Sequence, residues 1–223
     1  MIQALIFDFD GLILDTEVSS FQTWQEIYAE HNCDLPFDTW AVCIGGSAHS
    51  FDPCDFLEEQ LGRPVQRDEL RLRRRQRHVA LVETQSLLPG VQEYVLTAKR
   101  LGLKLGVASS SSHEWVDNHL DRLGVLPYFD SIKCSNDVKY SKPAPDLYLA
   151  SLDALGVRAD QAIALEDSPN GVLAAQRAGI FCIAVPNPIT SRLSLSHADM
   201  RLTSLADIPL EQLLTHIQEK AAS

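Results

Sequence analysis

The stretch ALIFDFDGLILDTE, Ala4 to Glu17, ends an apolar run with two acids two positions apart and sets a glycine directly behind them. A short continuous apolar run of this kind fits a strand buried on both faces, as in a parallel sheet wrapped by helices. Side chains two apart on a strand share a face, so Asp8 and Asp10 leave the strand end on the same side. Gly11 then lets the chain turn away while both acids stay aimed at one point.

The first strand is expected over Ala4 to Phe9. Further short apolar runs follow at Lys104 to Ala108, Ser131 to Cys134, Ala162 to Leu165, Phe181 to Val185 and Met200 to Leu202. Helical patterns fill the gaps, which is the signature of a parallel sheet. Ser111 and Glu114 match a capping box ahead of an apolar stripe at Val116, Leu120 and Leu123, with Gly124 as the stop. Ser168 and Pro169 read as N-cap and first helical residue of another helix, which Gly179 ends. Between Thr16 and about Ser86 the pattern changes. Phe21, Trp24, Tyr28 and His31 share one helix face, Phe56, Leu57 and Leu61 mark a second helix, and Arg67 to Glu83 a third. The expected fold class is α/β: a doubly wound, Rossmann-like parallel sheet core, residues 1–15 and 87–223, with an inserted α-helical cap domain, residues 16–86.

Composition narrows the partners. The 223 residues suffice for a full core, and the 45% apolar share is that of an ordinary globule. A formal net charge of -11 repels phosphate backbones and anionic surfaces, so no nucleic-acid or membrane partner is expected. The Arg63 to Arg77 run reads as a solvated helix face without interleaved aromatics. The five cysteines form no metal-type spacing, and their odd, scattered count fits a reducing compartment. With no leader-like start, apolar span or glycosylation sequon, a cytoplasmic location is expected, with a monomer as the default assembly.

In open α/β sheets ligands sit beyond the carboxyl ends of the strands. There the first strand delivers Asp8 and Asp10, and the second Ser109 and Ser110. The loop after the third brings Lys142 in SKPAPD, and the fourth strand brings Glu166 and Asp167 in LEDSPNG. Two like charges at about 4 Å repel by roughly 1 kcal/mol in water and roughly 4 kcal/mol at an effective dielectric near 20. Either some of these acids stay protonated or a cation holds them. Oxygen-only donors favour a hard ion, Mg²⁺ first. Such an ion, one lysine and a pair of serines make a phosphate site. An aspartate there can act as nucleophile, and an acid two residues on can serve the leaving oxygen and later water.

Taken in order, DFDGLILDT, the strand-end Ser109, SKPAPD and LEDSPNG resemble the four motifs of the haloacid dehalogenase superfamily, in its helical-cap branch. The resemblance spans essentially the whole chain and looks closest to the beta-phosphoglucomutase and sugar-phosphate phosphatase group. It implies Asp8 as nucleophile, Asp10 as general acid and base, and Ser109 and Lys142 as phosphate holders. It also implies an Mg²⁺ site from Asp8, the Asp10 carbonyl, Glu166 and Asp167. Gly11, Thr16 and Ser110 are further candidates for substrate or phosphate contact, and Thr16, Glu17 and Ser20 lie where the chain enters the cap. Asp15 reads as support for that turn.

The reaction expected is Mg²⁺-dependent hydrolysis of a small phosphorylated metabolite, a sugar phosphate foremost, through a phospho-aspartyl intermediate on Asp8. Dehalogenation needs neither Asp10 nor the Glu166–Asp167 pair. A phosphomutase is the main rival, but beta-phosphoglucomutase carries a histidine in the cap linker where this chain has Ser20. A non-catalytic phosphate-metabolite binding protein ranks lower. A receiver-type domain needs its phosphoacceptor after the third strand, where CSNDV lacks the required acidic pair.

Overall fold

The computed structural model describes residues 1–45 and 51–222. Six strands form one parallel sheet: β1 (Ala4–Phe7), β2 (Lys104–Ala108), β3 (Ser131–Lys133), β4 (Ala162–Glu166), β5 (Phe181–Ala184) and β6 (Met200–Arg201). Their spatial order is β3-β2-β1-β4-β5-β6, so the crossovers reverse between β1 and β4 and leave a crevice beyond their carboxyl ends. The doubly wound α/β architecture expected from the sequence is borne out.

Period-two alternation gives the sheet two unlike faces. Leu5, Phe7, Leu105, Val107, Ile163, Leu165 and Ile183 point to one core, shared with Val95, Val116, Leu120 and Leu213. Ala4, Ile6, Ala108, Ala162, Ala164, Cys182 and Ala184 point to the other, against Leu147, Leu152, Val172 and Ala175. The helices on the first face are α5 (Val91–Arg100), α6 (His113–Arg122) and α9 (Leu210–Ala222); those on the second are α7 (Asp146–Leu155) and α8 (Pro169–Arg177). Small side chains on the second face let α7 and α8 approach the strand ends closely.

Among the described residues four helices lie between β1 and α5: α1 (Thr16–Glu30), α2 (Phe37–Gly45), α3 (Pro53–Leu61) and α4 (Arg67–Glu83). They carry a small apolar cluster of their own, with Trp24, Ile27, Tyr28, Trp40, Leu57 and Leu70 buried. Asp15 caps α1 by accepting the Val18 N–H at 3.1 Å.

Three details depart from the sequence reading. Helix α2 was not foreseen: it is short, and its anchor, Trp40, is fixed by stacking on Phe21 at 5.9 Å between ring centroids. The segment CIGGSAHSF, inside the expected cap, falls in part on residues 46–50, outside the described residues. Strand β1 stops at Phe7 and not Phe9. The Asp8 N–H still bonds Leu165 at 2.9 Å, but the Phe9 carbonyl turns to accept the Ile13 N–H at 2.9 Å.

Leu165 is fully buried in β4. Leu165→Ala is expected to lower unfolding free energy by about 2–5 kcal/mol in urea titrations.

Candidate active site

Each sequence-predicted motif reaches the crevice at the carboxyl ends of β1, β2 and β4. Asp8 follows β1, Ser109 follows β2, and Asp167 follows Glu166, the last residue of β4. The Lys142 ammonium lies 2.7 Å from Asp8 Oδ1 and 2.6 Å from Glu166 Oε1. All three side chains are almost closed to solvent. Tyr148, from α7, donates its hydroxyl to Glu166 Oε1 at 2.6 Å. Asn187, beyond β5, donates its amide to Asp167 Oδ2 at 2.8 Å and to the Gly11 carbonyl at 3.2 Å.

Burial and the neighbouring Glu166 charge push the Asp8 carboxyl up to about 7, against the opposing pull of Lys142. Burial, then Asp8 and Glu166, hold Asp167 well above the ordinary carboxylate range. Burial alone would neutralise Lys142, but the two carboxylates outweigh it and keep the ammonium charged.

Asp8, Glu166 and Asp167 each offer an oxygen within 4.8 Å of the others. Three carboxylates facing one ammonium leave an excess of two negative charges, all on oxygen donors. That donor set fits a hard divalent cation, which would also draw the Asp8 carboxyl back to its ionised form.

The Asp10 carboxylate lies outside this cluster. Its Oδ2 accepts the Ser111 hydroxyl at 2.6 Å and sits 3.4 Å from Ser109 Oγ, while Oδ1 accepts the Trp115 indole N–H at 2.9 Å. The capping-box reading of Ser111 is therefore corrected. Ser112 caps α6, its hydroxyl accepting from the Trp115 N–H, and Ser111 is freed to serve Asp10. Of the remaining candidates, Ser110 is exposed beside Ser109, and Thr16 is buried in the first turn of α1 with its hydroxyl unpartnered among the described residues.

Two glycines make the cluster fit. Gly11 has φ 79, and a Cβ there would strike the Asp167 carboxylate and lie 2.6 Å from Asn187 Nδ2. Gly171, in α8, leaves room for Glu166: a Cβ would overlap that carboxylate outright. Sequence reasoning missed Tyr148, Asn187, Ser111 and Trp115. Asn187 was findable, because it follows a fifth parallel strand and so reaches the same crevice. Nothing local marks Tyr148 or Trp115.

A cavity of about 560 Å³ opens between α1, α4 and α6, with Trp24, Arg74, His78, Trp115 and His119 among its walls. Trp115 is the wall it shares with Asp10. Glu17, at the start of α1, has its carboxyl pushed up to about 7 by burial and by the charges of Asp10 and Asp15.

Comparison with known proteins agrees with this architecture. Residues 5–185 match the family model of haloacid dehalogenase-like hydrolases. The chain is 45% identical over 220 residues to YhcW of Bacillus subtilis (strain 168), a protein provisionally named a phosphatase, covering 99% of this chain and 100% of that one. It is 33% identical to hexitol phosphatase B of Escherichia coli (strain K12), covering 96% and 97%. The crystal structure of CbbY from Rhodobacter sphaeroides in complex with phosphate superposes with a TM-score of 0.69 at 30% identity, covering 93% and 96%. The fold is also that of beta-phosphoglucomutase from Clostridium difficile, with a TM-score of 0.77 at 24% identity over the full length of both chains. The chain belongs to the haloacid dehalogenase-like hydrolases, in the branch with a helical cap. It is an enzyme of the phosphatase kind within that family.

Two outcomes follow from this geometry. A helical Gly→Ala change ordinarily stabilises by about 1 kcal/mol. Gly171→Ala is expected instead to destabilise, since it displaces Glu166 from a buried ion pair whose disruption costs about 3–5 kcal/mol; thermal melts and Mg²⁺ titration calorimetry read both effects. Glu17 binds its proton more tightly folded than unfolded, so its contribution to stability is lost as pH rises from about 4.5 through about 7. In EDTA, Glu17→Gln is expected to raise stability at pH 8 by about 1–3 kcal/mol and to leave it unchanged at pH 4, as measured by urea unfolding.

Proposed function

We propose that this phosphatase releases phosphate from a small phosphorylated metabolite, a sugar phosphate foremost, through a covalent intermediate on Asp8 and with Mg²⁺. The observation that carries the reading is Lys142 locked between Asp8 and Glu166 beside Asp167, at the crevice of the sheet. Asp8 attacks phosphorus through a carboxylate oxygen, and the bond from phosphorus to the ester oxygen breaks as Asp10 gives that oxygen a proton. Water then attacks the same phosphorus, Asp10 takes its proton, and phosphate leaves Asp8 as a free carboxylate. Lys142 and Ser109 bind the phosphoryl oxygens in flight.

Mg²⁺ held by Asp8, Glu166, Asp167 and the Asp10 carbonyl would supply the remaining charge neutralisation. Ser110 and the Gly11 turn border the phosphate pocket, and Thr16 stands at the cap entrance. The cavity under the cap receives the leaving group. Its size suits a small metabolite, and its aromatic and guanidinium walls suit a hydroxylated one. In the second turn of α1 Ser20 accepts a hydrogen bond from Arg74 at 3.2 Å. A hydroxyl so placed is no proton acceptor for a sugar hydroxyl, which favours water over a second sugar as the acceptor.

Phosphate release from a panel of sugar phosphates and other small phosphomonoesters is expected with Mg²⁺ and lost in EDTA. Asp8→Asn is expected to abolish turnover while phosphate binding persists; turnover at the wild-type rate in that variant refutes the mechanism. A hexose 1-phosphate supplied with a trace of its bisphosphate separates the rival, since accumulation of the 6-phosphate without free phosphate identifies a mutase.

A further inference from the structure

Three donors hold the Asp10 carboxylate, and only the indole of Trp115 belongs to a side chain that also touches the cap. Ser109 and Ser111 sit on the loop after β2, within the core. The Trp115 ring lies flat on the imidazole of His78 in α4, with centroids 5.6 Å apart and planes 20° apart. Its edge meets His119, one turn along α6, at 4.4 Å and 78°. His78 is itself tied to the first turn of α1, with Nε2 3.1 Å from the Thr16 carbonyl. An unbroken chain of contacts therefore runs from the first turn of the cap, through His78 and Trp115, to Oδ1 of Asp10.

We propose that Trp115 is a positioning residue for Asp10, and that its stack on His78 makes that positioning answer to the placement of the cap. The inference rests on the reading of Asp10 as general acid and base given above. With donors on both oxygens the Asp10 carboxyl is fixed in direction, and Oδ1, with the indole as its donor, keeps a second lone-pair site that can carry the proton for a leaving oxygen. The indole is the donor whose place depends on α4, because the Trp115 ring is stacked on His78 while Ser109 and Ser111 belong to the loop after β2. The stack favours the indole placement that His78 supports.

Trp115→Phe keeps the stack and removes only the N–H. Expected is a selective loss. For the best alkyl monoester of the panel, whose leaving oxygen needs a proton, kcat/KM falls about tenfold or more. For p-nitrophenyl phosphate, whose leaving group needs none, the change stays within about threefold, because kcat/KM covers only the steps through leaving-group departure. An equal loss on both esters, or no loss on either, overturns the proposal, since a reshaped cavity moves both together. His78→Ala is expected to give a smaller loss with the same selectivity, and no further loss when added to Trp115→Phe; additive losses overturn the link to the cap. A readout independent of turnover is the indole N–H resonance of Trp115 in proton–nitrogen NMR spectra, expected to move in Asp10→Ala and in His78→Ala. An unmoved signal in either variant overturns the corresponding contact. A wild type that hydrolyses no phosphomonoester refutes the proposed function, and the indole signal then decides the positional claim by itself.

Discussion

The ammonium of Lys142, shut between the carboxylates of Asp8 and Glu166, is the interaction on which the rest of the site depends. Two buried acids and a third beside them cannot share so small a volume without a cation. Around this pair the protein has arranged neutral donors: the Tyr148 hydroxyl on Glu166, and the Asn187 amide on Asp167 and on the Gly11 carbonyl. Each removes an unsatisfied acceptor without adding charge. The remaining negative excess lies on oxygen atoms alone, a donor set that fits a hard divalent ion.

The sheet makes this crowding achievable. Its two faces differ in bulk, with branched and aromatic side chains toward α5, α6 and α9 and mostly alanines toward α7 and α8. The thin face draws α7 and α8 in against the strand ends. Tyr148 and Gly171 thereby reach Glu166, one as a donor and the other as an absence of side chain. A bulkier second face would hold both helices off and leave Glu166 unsupported.

The cap contributes in a different way. Much of its arginine run is spent within the cap, as the sequence suggested: Arg71 pairs with Asp52 at 2.5 Å and Arg77 with Glu26 at 3.1 Å. Arg74 departs from that pattern. It turns inward, 5.7 Å over the ring of Trp24, and lines the cavity next to Trp115. One helix thus presents a solvated face and a cavity-facing one, which composition alone cannot separate.

Local sequence determined where the six strands lie, the turn at Gly11 and the four motif positions, because each follows from short apolar runs or from the backbone freedom of one residue type. It also required that acids so grouped either hold protons or share a cation. Tertiary structure alone decided which groups complete the cluster. Tyr148 and Trp115 read as ordinary apolar-face residues of their helices, and acquire a role only when packing swings α7 and α6 onto the strand ends. Ser111 and Ser112 are equivalent as letters; the register of α6 made one a cap and the other a donor to Asp10. Helix α2 exists because Trp40 finds Phe21, a partner nineteen positions earlier in the chain. Such pairings are set by distances in space, and a linear pattern carries no record of them.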